Sequence, residues 1–291
     1  MHWDKFGEML TNLLWVWIVF LILQPAMKQN MLAAARTGWL RKLERKRESR
    51  VIALVHRRES VSLLGIPILQ FIDIEDSEAI LRAIRMTGDD VPIDLILHTP
   101  GGVSLAAEQI ARAICRHKSK VTVFVPHYAM SGGTLLALAA NEVVMSRDAV
   151  LGALDPMVGQ YPAASIMSVA GQKNFDDMSD STFILLDQAR KSTEQMNSTV
   201  RFLLSHRHDE PMVEQLASVF TSGNWTQDYP ISVDELKEVG MAVNCDMPVE
   251  VLQFMAMFPQ DVGRRPSVDF IPAPYPPASP VPPVLPAPRD S

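Results

Sequence analysis

Two short segments of the chain combine glycine with residues that can do chemistry. The first is His98-Thr-Pro-Gly-Gly-Val-Ser104 and the second is His127-Tyr-Ala-Met-Ser-Gly-Gly-Thr134. Glycine lets the backbone approach a ligand closely with its N–H groups turned outward, and a serine at the start of a helix lies where amides and the helix dipole favour negative charge. A glycine pair that faces Ser131 is therefore predicted to form an oxyanion hole beside a nucleophile, as acyl transfer requires.

The sequence around these segments indicates how they are positioned. Each follows an apolar run typical of a buried strand, 93–97 and 121–125, and each precedes a run typical of a helix, 105–115 and 134–140. Each segment is thus predicted to be a strand-to-helix turn. Two such turns can lie side by side at the carboxyl edge of a parallel sheet. Taken singly, a Ser131 that only caps a helix and a plain Pro-Gly-Gly turn are the simpler alternatives.

The same alternation of strands and helices extends beyond the two turns. The first helix of this part is expected to be capped by Asp76 or Ser77, and a loop or hairpin is expected over 57–68. The other predicted strands are 51–56, 70–74, 143–145 and 150–153, and the other predicted helices are 76–86, 180–204, 211–220 and 231–240. Strands that alternate with helices predict an α/β fold, a mainly parallel sheet flanked by helices.

Together the two segments resemble the Clp/crotonase-fold serine peptidases, a group that includes the Clp protease subunit, the signal peptide peptidase A type and the stomatin-operon membrane proteases. The residues that carry this resemblance are Thr99-Pro-Gly-Gly102 and Ala129-Met-Ser-Gly-Gly133. Within the group the chain is most similar to the SDH (serine dehydrogenase proteinase) branch, on Leu154-Asp-Pro156, Gln160-Tyr-Pro-Ala163 and Trp225-Thr-Gln-Asp-Tyr-Pro230. The resemblance implies a Clp/crotonase-like fold over residues 51–258, with a helical arm that makes the chain a homo-oligomer.

The resemblance also implies roles for individual residues. It makes Ser131 the nucleophile and the N–H groups of Gly102 and Gly132 the oxyanion donors, with Gly101 in support. No histidine follows the serine where the Clp protease branch has its base. The other branches use a lysine held neutral by burial, which implies Lys191 as the general base and Lys173 as its alternative.

The implied activity is hydrolysis of peptide bonds in protein or peptide substrates, with no metal ion and no organic cofactor. Three further residues are candidates for support: His127 for the pocket, Asp155 for the base or the loop around it, and Tyr161 for the substrate groove. Two alternatives stay open. One is a catalytically silent membrane scaffold with a Clp fold, and the other is a crotonase-type acyl-CoA enzyme that uses the oxyanion hole for a thioester enolate.

The two ends of the chain differ in composition from its middle. Residues 1–27 contain the apolar run 13–23 and are predicted to be a single transmembrane anchor. The basic residues of 28–50 indicate either a helix beside the membrane or a solvated spacer helix. By the positive-inside rule they predict that the catalytic domain lies on the cytoplasmic face of the cell membrane. Residues 259–291 are rich in proline and are predicted to be a disordered tail.

Length and charge limit the remaining possibilities. A chain of 291 residues with 47% hydrophobic residues can bury one substantial core and carry appendages. Its net charge is −6, so the whole molecule offers no basic footprint for nucleic acid. Nucleic acid is therefore not expected among its partners.

Overall fold

A four-stranded parallel sheet lies at the centre of the computed structural model, which describes residues 2–56, 71–174, 176 and 178–258. Its strands are β1 (Arg50–Val55), β2 (Ile93–His98), β3 (Val121–Val125) and β5 (Glu142–Met145), adjacent in the order β1-β2-β3-β5. Because all four run in the same direction, their carboxyl ends share one edge of the sheet. The predicted α/β class with a parallel sheet is confirmed.

Shorter strands and helices surround this sheet. The short strands β4 (Tyr128–Ala129), β6 (Val150–Leu151) and β9 (Ile231–Ser232) form a second sheet, and β7 (Met157–Val158) and β8 (Tyr161–Pro162) form an antiparallel pair. The helices are α1 (His2–Arg47), α2 (Ile74–Arg85), α3 (Ser104–Arg116), α4 (Gly132–Ala139), α5 (Ala163–Gln172), α6 (Asp180–Leu204), α7 (Glu210–Thr221), α8 (Val233–Glu238) and α9 (Val249–Ala256).

Both faces of the central sheet are covered, as the continuous apolar runs of its strands require. Successive side chains of β2 point to opposite faces, so Leu95 and Leu97 join the core formed with α3 and α4. Ile96 joins the opposite core, together with Leu43 of α1 and Phe254 of α9. Burying each of these side chains contributes roughly 1.5–3 kcal/mol to the free energy of folding. The carboxyl edge, with both turns, is therefore held from two sides.

The end of α1 is tied to the sheet by a buried carboxylate. Asp94 of β2 is 3% exposed, accepts a hydrogen bond from the Ser49 hydroxyl at 2.7 Å and forms an ion pair with Arg47. A carboxylate in such a position needs partners of this kind, because burying it alone is costly. The basic segment predicted over residues 28–50 thus belongs to the same helix as the residues before it, and its end packs on the sheet.

Helix α1 contains the segment predicted to be a transmembrane anchor, residues 1–27. Within the described part of the chain, no helix has both the length and the apolar character needed to cross a membrane. The predicted anchor is therefore not supported. The apolar run 13–23 continues, without a break in the helix, into Gln24, Lys28 and Arg36.

The entry to α2 differs from the prediction. Instead of a strand over 70–74, Ile72 makes a single bridge to Gly102 and the helix begins at Ile74. Its cap is Asp73 rather than Asp76 or Ser77. The Asp73 carboxylate accepts from the Asp76 N–H and the Asp76 carboxylate accepts from the Asp73 N–H, which is a capping box. The loop or hairpin expected over 57–68 and the tail over 259–291 lie outside the described residues.

A helical arm follows the central sheet, as the resemblance implies. Helix α6 has the bounds predicted for it, whereas α5, α9 and the β7–β8 pair were not predicted. The prediction of one helix over 231–240 is wrong at its start, where β9 precedes α8. A small cluster of Val158, Ala163 and Ala189 joins the β7–β8 pair to α5 and α6. The arm therefore has a minor core of its own.

Candidate active site

The two glycine-containing turns lie side by side at the carboxyl edge of the sheet. Thr99 and Ala129 form a parallel bridge, with the Thr99 N–H donating to the Tyr128 carbonyl at 3.2 Å and the Met130 N–H donating to the Thr99 carbonyl at 3.0 Å. These bonds continue the pairing of β2 with β3 beyond the ends of both strands. The predicted juxtaposition of the two turns is confirmed.

Ser131 has a strained backbone directly before α4. Its φ of 47° and ψ of −112° lie outside the regions that a residue with a side chain normally occupies. Its side chain makes no capping hydrogen bond among the described residues, so the simpler alternative of a helix-capping serine is wrong. Strain of this kind persists only where the surroundings fix it, and it is concentrated at functional sites.

Two small residues beneath the turn, Thr134 and Gly152, hold it in this conformation. The Thr134 hydroxyl lies 2.9 Å from the carbonyl oxygens of Ala129 and Gly152, and it accepts the Gly152 N–H at 2.9 Å. A methyl group on Gly152 would lie 2.8 Å from Met130 Cε and 3.2 Å from the Ser131 nitrogen. A side chain at position 152 would therefore push against the backbone of the serine turn.

The Pro-Gly-Gly turn presses against the serine from the other side. Gly101 has a φ of 104°, and a Cβ on it would lie 2.8 Å from the Ser131 Cβ. At Gly102 a Cβ would overlap the backbone of Ile72, at 2.1 Å from its oxygen. Ile72 holds the turn by donating its N–H to the Gly101 carbonyl at 2.7 Å and accepting the Val103 N–H at 2.8 Å. Both positions require glycine because the backbone itself is in contact there.

Two backbone N–H groups are available at this junction. The Gly102 nitrogen lies 3.7 Å from the position that a Cβ of Gly132 would take, so the two glycines are neighbours. Within the described residues, neither of their N–H groups donates to a backbone carbonyl. The helices α3 and α4 both begin here, so their amino-terminal partial charges add to the positive potential. Such a pair of amides can stabilise an oxyanion beside Ser131.

Lys191, expected to be the general base, lies on the solvent side of α6. Its ammonium forms an ion pair with Asp187 at 2.6 Å, and 65% of its side chain is exposed. Asp187 precedes it by four residues, which places the two charges next to each other on the helix surface. The expectation that Lys191 is buried against Ser131 is therefore wrong, and the Ser/Lys dyad stays a prediction.

The other candidates on and beside the arm are also exposed. Lys173 ends α5 with an exposed side chain, so it too lacks the burial that a neutral lysine needs. Tyr161 of β8 is 59% exposed. Neither residue has a described contact with Ser131.

His127 belongs to an aromatic group rather than to the serine turn. Its ring stacks on that of His98 at 5.7 Å and meets the edge of Tyr128 at 5.3 Å. His98 lies on the same face of β2 as Ile96, by the alternation of side chains along a strand. That face is the one covered by α1 and α9.

Asp155 connects the serine region to the arm. It is 8% exposed, and its carboxylate accepts a hydrogen bond from the Ala164 N–H, in the first turn of α5, at 3.2 Å. Burial raises the pKa of the Asp155 carboxyl, and the amides of Ala164 and Ala163 oppose that effect. Of the two roles considered for it, holding the loop is the one that its contacts support.

One residue in contact with the site was missed by the sequence analysis. His56 follows β1, and its Nδ1 lies 2.8 Å from the Thr99 hydroxyl, within the Pro-Gly-Gly turn. The sequence gives little indication of this contact, because only the register of β1 against β2 brings His56 close to Thr99. Among the described residues, no group of three or more His, Cys, Asp or Glu side chains is arranged to hold a metal ion.

Comparison with known proteins extends these observations. Two uncharacterized proteins of Methanocaldococcus jannaschii, MJ1495 and MJ0137, are 47% identical over 272 residues and 48% identical over 273 residues. The matches cover 92% and 93% of this chain, and 93% and 95% of those proteins. The solved structure of ClpP1 from Listeria monocytogenes aligns with a TM-score of 0.45 and 16% identity, over 72% of this chain and 98% of that chain. Residues 1–280 match the family described as ClpP-like SDH-type serine proteinase, and the chain belongs to that family.

Proposed function

We propose that the chain is a serine peptidase in which Ser131 attacks the peptide carbonyl and the N–H groups of Gly102 and Gly132 hold the oxyanion. The observation that carries this proposal is the strained, uncapped serine at the start of α4, pressed against a glycine turn. Membership of a serine proteinase family supports the same chemistry. A structural turn would have no need of such strain.

The proposed reaction has two halves. In the first, a bond forms from Ser131 Oγ to the carbonyl carbon, a base takes the hydroxyl proton, and the C–N bond breaks as the amine leaves with that proton. In the second, water attacks the resulting ester, the carboxylic acid leaves and the serine hydroxyl is restored. The negative charge on the carbonyl oxygen appears in both halves, so the two amides serve each of them.

Lys191 is the proposed base, and it can take that role only in an assembled state. In the single chain its ammonium is solvated and paired with Asp187. Val169 of α5 and Ile184 of α6 are apolar side chains of the arm that are 54% and 59% exposed, and the proposed cover is a second copy of the chain. Covering the arm would remove water from the ammonium, and burial favours the neutral amine.

One observation favours the alternative of a catalytically silent scaffold. Lys191 forms an exposed ion pair, and it therefore supplies no buried base beside Ser131 in the single chain. A scaffold would keep the fold for assembly and would not react at its serine. The two functions therefore differ in the reactivity of one hydroxyl.

A fluorophosphonate probe tests the proposal. The probe reacts when the serine oxygen bonds to phosphorus and fluoride leaves, so it reports an activated serine directly. We expect labelling of the native chain on the peptide that contains Ser131, and no labelling of Ser131→Ala. Hydrolysis of a casein-type substrate should fall by several orders of magnitude in the same variant. An unlabelled native chain, or hydrolysis that survives Ser131→Ala, would overturn the proposal.

A further inference from the structure

Behind the Pro-Gly-Gly turn, three polar side chains form a continuous hydrogen-bonded line. Asp76 Oδ2 lies 3.1 Å from His56 Nε2, and His56 Nδ1 lies 2.8 Å from the Thr99 hydroxyl oxygen. That oxygen accepts the Gly101 N–H at 3.2 Å. The line therefore runs from the first turn of α2 to the glycine that touches Ser131.

The direction of each bond follows from the groups at its two ends. The ionised Asp76 carboxylate can only accept, so the imidazole carries its proton on Nε2 and donates it there. Nδ1 is then an acceptor, and it takes the hydroxyl proton of Thr99. The Thr99 oxygen is left free to accept from Gly101. One tautomer of a neutral His56 satisfies every bond in the line.

The burial of Thr99 determines which function this hydrogen-bonded line can have. An Asp-His-hydroxyl arrangement is also that of a nucleophile and its base, but Thr99 is 0% exposed and cannot meet a substrate carbonyl. Its hydroxyl acts on Gly101 instead. Ile72 clamps the same turn through two backbone bonds and directly precedes Asp73, the cap of α2. Both supports of the turn thus originate at the start of α2.

We propose that Asp76, His56 and Thr99 form a relay that positions the Gly101–Gly102 turn, so that His56 is a positioning residue for the oxyanion hole and acts as a neutral imidazole. The inference rests on the proposed function, because the turn matters only if its amides bind an oxyanion. It assigns no contact with substrate to any of the three side chains.

Protonation of His56 would weaken the relay. With both ring nitrogens donating, the Thr99 hydroxyl must accept from His56 as well as from the Gly101 N–H, and its own proton can turn only to the Gly101 carbonyl at 3.4 Å, a poor bond. Burial lowers the pKa of His56, and the carboxylates of Asp76 and Asp73 oppose that effect. These two are the charged groups that act on the ring within the described residues. The neutral form of His56 is therefore favoured near neutral pH, and the relay is weakened on acidification.

The rate of fluorophosphonate labelling at Ser131 tests the relay. Thr99→Val keeps the shape of the side chain and removes only the hydroxyl, and we expect labelling at pH 7.5 to slow about tenfold, the effect of one lost hydrogen bond. Thr99→Ser restores the hydroxyl and should recover most of the rate. Equal rates for the native chain and a folded Thr99→Val would overturn the inference while leaving the proposed function in place. A native chain without labelling overturns both.

A second pair of variants separates positioning from simple structural support. His56→Gln can still accept from Thr99 and donate to Asp76, so it should keep much of the rate at pH 7.5 and lose the decline that His56 causes on acidification. His56→Leu can do neither and should resemble Thr99→Val. His117→Gln, at an exposed histidine on the Val91 carbonyl, should leave the pH profile unchanged. A folded His56→Gln with the native acid decline contradicts the relay, whatever happens to Thr99→Val.

Discussion

The serine turn and the helical arm differ in what fixes their functional residues. Around Ser131 the backbone itself is in contact, with Gly101 on one side and Gly152 on the other. Hydrogen bonds donated by the Ile72 N–H and the Thr134 hydroxyl close the turn. On the arm, Lys191 is held only by an exposed ion pair. The serine turn is therefore held within a single chain, whereas the role proposed for Lys191 requires a partner surface.

The energies of the two arrangements explain this difference. A buried amide or hydroxyl that loses its partner costs roughly 1–3 kcal/mol, so the network under Ser131 resists rearrangement. An exposed ion pair four residues apart on a helix contributes only about 0.3–0.5 kcal/mol. The small free-energy cost of breaking the pair between Lys191 and Asp187 would thus be offset by burial of apolar surface on α5 and α6. On the proposed function, the oxyanion side is rigid in the single chain and the base side forms on assembly.

The largest effect should come from filling the serine turn. In Gly101→Ala, the new methyl would lie 2.8 Å from the Ser131 Cβ at a φ of 104°, so the oxyanion donors must move. We expect peptide hydrolysis to fall by about 10²–10³-fold, as when an oxyanion donor is removed. Gly159→Ala is the matched control, because it also carries a positive φ of 64° but has open space around it. Equal losses in the two variants would show that backbone strain, and not the serine contact, is responsible.

Substitution of Lys191, the proposed base on the arm, should have the next largest effect. If Lys191 gives up and takes a proton in the assembled enzyme, Lys191→Arg is as damaging as Lys191→Ala, since a guanidinium stays charged. We expect both to lower turnover by about 10²-fold, with Arg190→Ala as the neighbouring control. Specific activity should also fall on dilution as the assembly dissociates. Full activity in Lys191→Arg would contradict this role and leave Lys191 only as one partner of a surface ion pair.

The sequence predicted strand β3 and helix α6 of the arm but missed helix α5, for a physical reason. Strand β3 and helix α6 have the bounds predicted for them, because uninterrupted apolar runs and helical spacing are local signals. The two turns could be placed for the same reason, since each follows such a strand. Helix α5 was missed because its alanine, serine and glycine residues form no apolar stripe. Its position depends on the cluster of Val158, Ala163 and Ala189, which only the folded chain brings together.

One site residue was missed because its contact is between residues far apart in the sequence. His56 reaches Thr99 through the register that pairs Val55 with His98, and no local pattern encodes that register. The placement of Lys191, by contrast, had a visible signal. Asp187 precedes it by four residues, which already indicated an exposed ion pair on α6.

A smaller effect is expected at Asp155, which joins the two regions. Its pKa is raised in the folded chain, so the stability it contributes is present below its ordinary value and is lost as the pH rises through the folded value. Asp155→Asn keeps an oxygen for the Ala164 N–H and should gain stability relative to the native chain between pH 3, below the ordinary pKa of 3.8, and pH 7.5. Asp155→Ala loses that bond and should be about 1 kcal/mol less stable. Urea unfolding of all three at both pH values is the measurement.

The opposite outcome at Asp155 would also be informative. Both the first amides of α5 and its helix dipole favour a charged carboxylate, and in the folded chain burial outweighs them. If Asp155→Asn is the less stable chain at pH 7.5, those favourable interactions outweigh burial. Asp155 would then be an anionic cap that anchors the arm.

The smallest effect is expected at Gly171, on the arm itself. It lies in α5 with no atom within 4 Å of a Cβ position, and its φ is outside the left-handed range, so alanine fits without a clash. Gly171→Ala should raise the free energy of unfolding by about 0.4–1 kcal/mol, because alanine restricts the unfolded chain. Urea unfolding at a protein concentration where the chain is monomeric measures this gain without any contribution from assembly. A loss of activity at high concentration with that gain in stability would place Gly171 under the second copy, since a covered arm has no room for the added methyl.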